Sequence, residues 1–498
     1  MALLNQQHSK QLPASVLQPQ ALPVVQKNHI MHIGIGGFHR AHQAYTWQQL
    51  IQSNPEANAA WRITGVCLLP SDKPFVEAFR KQDQLYCLRS CAADGKAETM
   101  LINSLQDLLF GPEDAEAILA KIADPATRII SFTITEGGYN VDFEQKKFLL
   151  DTAAIAEDLN DTAAPKTVFG FLAKGLQRRK EAGLNGLTLM SCDNIQENGE
   201  VLHFALDAYL DAFDPELKAW VAAHVHFPNS MVDRITPVTK LADKDAFEAS
   251  YGLRDEALIV CEDYFQWVLE DKGLDHIPYL PPFGVEVVSD VRPYESMKLG
   301  ILNAGHSLVG LIGNALGIYT IHEAVQDPMI ARIFTHYAKQ EAIPVLQEIK
   351  GVSFTTYFEK VKSRFSNAMI NDSTARIISG SSDKIPKFLL PITLKQFKQE
   401  NPQWKATALV IAFWWFYLHQ EYAKNELSDI LDNRKTALKG IFQQKTNSID
   451  LFMAMEDIFG ELGSQKDFYS CYAQYATQLA TGDVRAVLSQ FLEEVEYA

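Results

Sequence analysis

Cysteine is scarce in this chain, with six thiols in 498 residues. Cys67, Cys87, Cys91, Cys192, Cys261 and Cys471 are too few and too scattered to form the disulfide framework of a chain this long. The Cys87–Cys91 spacing has no second Cys/His pair nearby to complete a zinc set, so buried thiols are expected. An excess of positive charge is also missing. Lys and Arg number 45 against 61 Asp and Glu, giving a formal net charge of −16. That sign excludes a general nucleic-acid or anionic-membrane binder but not a local basic pocket. No apolar run approaches the roughly 20 residues of a membrane span. The longest, Ala408 to Leu418, reads as a buried helix. Met1 to Val16 lacks a basic stretch followed by an apolar one, so no secretory signal is expected. There is no internal repeat and no low-complexity block. A soluble cytoplasmic protein follows as the expectation.

The composition is otherwise that of a globular chain, 47% hydrophobic and 21% charged, which excludes a disordered one. At about 150 residues per domain the length allows two or three domains. The first 25 or so residues, rich in Gln, Pro and Leu, read as an arm before the first core element. From His29 short apolar runs alternate with helical patterns. Strands are expected at Ile30–Gly36, Arg62–Leu69, Arg128–Thr135 and Gly186–Ser191. Helices are expected at Phe38–Gln52, Asp114–Ala123, Thr167–Ala182 and Glu200–Phe213. Such alternation builds a largely parallel sheet with helices on its faces. After about Val291 strand signals fade and helical patterns dominate: Ser296–Leu316, Asp327–Ile349, Lys405–Glu421 and Arg485–Tyr497. The expected fold is therefore α/β plus α. A dinucleotide-binding domain over 1–288 precedes a mainly helical domain over 289–498, with a segment near 361–386 returning to the first.

Two segments carry chemistry. The turn Gly34-Ile35-Gly36-Gly37-Phe38-His39-Arg40 follows an apolar run and opens a helix. In that context Gly34 permits a tight turn, Gly36 lets backbone approach a pyrophosphate, and free N–H groups face the anion. His39 stands where a third glycine or alanine is usual. Asp72, a little over thirty residues later, is placed to accept ribose hydroxyls and to favour NAD, while Lys73 beside it leaves NADP open. The second segment runs from Tyr294 to His306. At 100° per residue Asn303 lies about 140° and His306 about 80° from Lys298, on one broad side of a helix. Desolvation lowers the pKa of a lysine, and a neutral lysine can take a proton from an alcohol. Asn303 could hold the resulting oxyanion and His306 a hydroxyl. Taken singly, each also has a bland reading, as a solvated lysine or a core histidine.

Lys298-x4-Asn303-x2-His306 resembles the signature of the polyol-specific long-chain dehydrogenases, the mannitol dehydrogenase family. The glycine turn through Ala44 resembles that family too. So do Thr133–Tyr139, Met190–Asn194, Phe227–Arg234, Arg364–Asn367 and Lys384–Phe388, all in order across residues 28 to 460. The resemblance implies a Rossmann-type N-terminal domain, a helical C-terminal domain and an active site in the cleft between them. It also implies metal-free hydride transfer with NAD, Lys298 as acid–base residue, Asn194 and Asn303 as the oxyanion hole, and His306 orienting the substrate. Asp233, Arg376 and Lys384 match positions lining the polyol site. Gly34, Gly36, Gly37, Phe38, Arg40, Asp72 and Glu136 are expected at the cofactor. Glu295, one turn before Lys298, is expected either to relay the proton to solvent or only to orient the lysine.

The family includes mannitol 2-dehydrogenases, arabinitol dehydrogenases and reductases of the hexuronates fructuronate and tagaturonate. A hexuronate carboxylate asks for a cationic partner, which Arg376 and Lys384 could supply. Glu136–Tyr139 and Ser381–Phe388 lean to the mannitol branch, and Asp383 beside Lys384 disfavours a uronate. The expectation is D-mannitol to D-fructose, by a monomer without nucleic-acid or membrane partners. An alternative from another class is a nucleotide-binding regulator that has lost catalysis.

Overall fold

A computed structural model describes residues 2–25, 27–143, 145–160, 164–444 and 447–496. The chain divides into two compact units, residues 1–92 with 96–292, and residues 293–498 with the three-residue turn 93–95.

The first unit is built on five parallel strands: β1 (Ile30–Ile33), β2 (Ile63–Cys67), β3 (Leu105–Phe110), β4 (Ile129–Phe132) and β5 (Thr188–Ser191), in the order β5-β4-β1-β2-β3. Pairing is in register, Ile30 of β1 opposite Ile63 of β2 and Ile129 of β4. Helices cover both faces, so the inner strands are apolar on both sides and buried throughout. Successive side chains of β1 serve opposite layers. Ile30 joins Trp47, Leu50 and Phe79, whereas Met31 and Ile33 join Ile118, Phe169 and Leu172.

Two smaller sheets flank this core, which the alternating pattern did not foretell. One joins Val16–Leu17, Ala97–Ile102, Tyr86–Cys91 and Ile259–Glu262; the other joins Ser230–Asp233, Gln266–Glu270 and Val285–Val288. The expectation of an arm before the first core element is corrected here. Ala2–Leu3 pairs with Leu253–Arg254, Val16 pairs with Thr99, and Leu4, Leu12 and Val16 are buried. Their apolar side chains find a small core of their own with Phe247 and Leu258.

The second unit is helical. Lys405–Asn425 is buried all round from Ala406 to Phe416, which makes it a central core helix. It packs on Lys466–Ala480 and Ala304–Ala315. No helix among the described residues is long and apolar enough to cross a membrane. Residues 361–386 do not return to the first unit. They lie in the second, in Phe354–Phe365, Thr374–Ile378 and Ser381–Phe388. The last helix is Val484–Glu496, and Tyr497, expected to end it, lies outside the described residues. All six cysteines are free, and five are buried.

Candidate active site

The C-terminal ends of the parallel strands carry the motifs of the first unit. In open α/β sheets this is the edge where ligands bind, at the point where strand order reverses. Beyond β1 the chain turns through Gly34, whose φ is +96°; a Cβ there would lie 2.1 Å from the Thr133 carbonyl oxygen. Gly36 has ordinary φ, and a Cβ on it would meet nothing within 4 Å. The first glycine is thus required by the chain, while the second leaves open space over the turn. A short helix, Gly37–Ala41, follows and breaks at His42 before Gln43–Ser53, where one continuous helix was expected. Phe38 lies in its first turn, its ring stacked on His42. His39, standing for the third glycine, is buried with its ring stacked 3.4 Å from that of His32 on β1. His32 in turn hydrogen-bonds Ser131 Oγ and Thr133 Oγ1, and burial pushes its pKa down to about 3.

Arg40 is one of the residues expected at the cofactor. Its guanidinium is buried, donates to the Ala257 and Gly36 carbonyls, and lies over the rings of Phe75, Tyr86 and Phe79. It braces the glycine turn from within the fold. Asp72 sits five residues past the end of β2, part-exposed, its Oδ2 accepting from Leu69 N (3.3 Å). Lys73 is bound to Glu113 (2.8 Å), so the cation beside Asp72 has its own partner.

Beyond β4 and β5 two motifs are knotted together by a residue whose role the sequence did not reveal. Asp193 accepts from Ile134 N (3.0 Å), Thr135 N (2.8 Å) and the Tyr139 hydroxyl (2.7 Å), and Tyr139 also bonds Ser191 Oγ (2.5 Å). Burial raises the Asp193 pKa and these hydrogen bonds oppose the rise. The anchored turn presents Glu136 and Asn194, both exposed. Asp233, at the end of its strand, is buried. The signal was there in two motifs, each pairing a Tyr or Asp with small residues, but a contact between them cannot be read from spacing.

The helix Arg292–Met297, whose residues from Pro293 on belong to the second unit, runs into a π-helical turn, Lys298–Asn303, and continues as the α-helix Ala304–Ala315. This corrects the angular arithmetic. A π turn closes i to i+5 and advances on the order of 85° per residue. Asn303 then lies about 65° from Lys298, and His306, three α-helical steps later, within about 10° of it. The widened turn aligns the three residues more closely than a plain helix would. Lys298 and Glu295 are 7% and 6% exposed. The Asn303 side-chain oxygen is buried and has no hydrogen-bond partner among the described residues. A buried acceptor left open costs roughly 1–3 kcal/mol, which suits an oxygen kept to accept from a ligand hydroxyl. His306 stacks on Phe365 at 3.9 Å and 13°, which fixes its ring plane.

Arg376 and Lys384 belong to this unit as well. Their helices pack near the same segment, with a Cβ on Gly310 only 2.9 Å from Ile377 Cγ2. Arg376 is forked onto Asp372 through Nε (2.6 Å) and a terminal nitrogen, and Asp372 raises its pKa. Lys384 Nζ donates to the Ile377 carbonyl (2.8 Å), and burial, with Arg376 nearby, pushes its pKa down to about 8. Asp383 accepts from Asn433 (2.7 Å).

Both units match known families. The mannitol dehydrogenase Rossmann domain matches residues 28–280 and the mannitol dehydrogenase C-terminal domain residues 290–480. A mannitol 2-dehydrogenase of Phaeosphaeria nodorum is 36% identical over 96% of this chain and 84% of its own. A polyol:NADP oxidoreductase of Gluconobacter oxydans is 39% identical over 78% of this chain and 79% of its own. Among solved structures, the ternary complex of Pseudomonas fluorescens mannitol 2-dehydrogenase with NAD and D-mannitol superposes with a TM-score of 0.87 at 34% identity, covering 98% of this chain and 99% of that one. With the glycine turn, the strand-end motifs and the lysine turn all in place along that shared length, the chain belongs to the mannitol dehydrogenase family.

Proposed function

We propose that this chain is a polyol 2-dehydrogenase that interconverts D-mannitol and D-fructose with NAD, as a cytoplasmic monomer and without a metal. As a member of its family it is an oxidoreductase acting on CH–OH groups. The observation that carries the proposal is the π turn Lys298–Asn303 running into the helix Ala304–Ala315, which brings a buried Lys298, Asn303 and His306 to one face. The turn at Gly34–Gly36 fits a dinucleotide, since it opens the helix Gly37–Ala41 and leaves free space over Gly36 where a pyrophosphate would lie. A nicotinamide dinucleotide bound there supplies the two-electron redox partner of the alcohol.

The residues do the rest. Lys298 takes the hydroxyl proton in oxidation and returns it in reduction. Asn194 and Asn303 hold the reacting oxygen as its charge develops. His306, fixed by Phe365, orients a neighbouring hydroxyl. Glu295, buried one turn earlier, is the proposed outlet for the proton. An unchanged pH profile of turnover in Glu295→Gln removes that outlet.

A neutral polyol is favoured over a hexuronate because the cations are already engaged. Arg376 is matched by Asp372, and Lys384 holds a backbone carbonyl beside Asp383. NAD is favoured over NADP by Asp72 and by the Lys73–Glu113 pair, although the Gluconobacter relative is named for NADP. A panel of mannitol, arabinitol, sorbitol and fructuronate, with NAD(H) and NADP(H), tests the reading. Mannitol or fructose with NAD(H) is expected to give the highest kcat/KM, and chelation is expected to leave it unchanged. Preferred turnover of fructuronate overturns the substrate. Bound NADH with no oxidation by any ketose favours a nucleotide-binding regulator.

A further inference from the structure

The π turn has an outside support. Tyr337 is fully buried, and its hydroxyl donates to the carbonyl of Gly300 (2.9 Å), two residues after Lys298 and three before Asn303. Tyr337 itself opens a second π-helical turn, Tyr337–Ala342. That turn is braced in its own right. Gln396 Nε2 donates to the carbonyls of Gln340 (3.1 Å) and Glu341 (2.6 Å). The Glu341 carboxylate accepts from Ala406 N (2.5 Å), Thr407 N (3.1 Å) and Thr407 Oγ1 (2.7 Å), at the start of the central helix Lys405–Asn425.

We propose that Tyr337 is a positioning residue for the reaction: its hydroxyl holds the π turn at Gly300 and so keeps Lys298, Asn303 and His306 on one face. A π turn is a local insertion into an α-helix, and it persists only where its surroundings support it. On the other side of the turn a Cβ on Gly300 would lie 2.8 Å from Ile392 Cδ1, so the chain has little room to shift that way. Without the hydroxyl the buried Gly300 carbonyl loses a partner and the turn can relax toward an α-helix. By the angles above, Asn303 then swings from about 65° to about 140° away from Lys298. Tyr337 touches neither substrate nor cofactor in this account; it acts through the turn.

The inference rests on the reading of Lys298 as the acid–base residue, and the test separates the two. Tyr337→Phe keeps the ring and removes only the hydroxyl. It is expected to lower kcat by about ten- to a hundredfold, as small misplacements of reacting groups do. Its KM for the dinucleotide is expected to stay within about twofold, and its pH profile of kcat to move, because the group that titrates has been displaced. Gln396→Met, which unbraces the second turn, is expected to show a smaller loss of the same kind. A Tyr337→Phe enzyme with wild-type kcat and pH profile overturns the proposal, whatever its Tm. If that variant does not fold, unchanged turnover in Gln396→Met overturns it instead. Lys298→Ala is assayed alongside: if it keeps turnover the reading of Lys298 fails, whereas an inactive Lys298→Ala with a normal Tyr337→Phe removes Tyr337 alone.

Discussion

At the scale of single residues, the two glycines of the turn after β1 do different work. Gly34 is held at φ +96° against the Thr133 carbonyl, so any side chain strains the fold itself. Gly36 has ordinary φ and open space above it, so a methyl group there would meet only a ligand. Gly34→Ala is expected to lose about 1–3 kcal/mol of stability in denaturant unfolding and to fail to bind NADH. Gly36→Ala is expected to unfold within about 0.5 kcal/mol of wild type yet to bind NADH roughly tenfold or more weakly. Wild-type affinity in Gly36→Ala contradicts the placement of the pyrophosphate. Arg40 shows the limit of reading residues singly. Its protein contacts, three aromatic rings and two carbonyls, come from residues far apart in the chain that its place after a glycine turn does not reveal.

At the scale of elements, strand ends and helix spacing were largely legible. The apolar runs of β1, β2, β4 and β5 fall within the expected segments, because a parallel strand buried on both faces leaves a continuous apolar signature. The π turn was not legible, since the spacing of Lys298, Asn303 and His306 suits either helix type and tertiary support decides between them. Nor were the flanking sheets, whose strands pair with partners up to some 170 residues away, as Arg89 with Val260 shows. The helix Ser381–Phe388 carries a pH prediction. Lys384, with a pKa near 8, is cationic below that pH and neutral above it. A carboxylate substrate relying on it would bind progressively worse as pH rises through 8. A neutral polyol would not lose that charge interaction. The KM for mannitol, compared between wild type and Lys384→Met from pH 7 to 9, is expected to show no loss of affinity that depends on Lys384 titrating. A fructuronate kcat/KM that exceeds the mannitol value at pH 7 and falls through pH 8 in the wild type but not in Lys384→Met contradicts the neutral-polyol reading.

At the scale of the whole molecule, the net charge of −16 says little about the chemistry. The lysine assigned to proton transfer is one of 45 basic residues and is almost wholly buried. Its setting is supplied by a helical unit with a core of its own, while the dinucleotide turn belongs to the α/β unit. The most direct test of the account is therefore Lys298→Ala, with fructose-dependent NADH oxidation and NADH binding measured on the same preparation. Turnover is expected to fall by orders of magnitude while NADH binds as to wild type. Retained turnover with normal NADH binding would contradict the assignment of Lys298 as the acid–base residue.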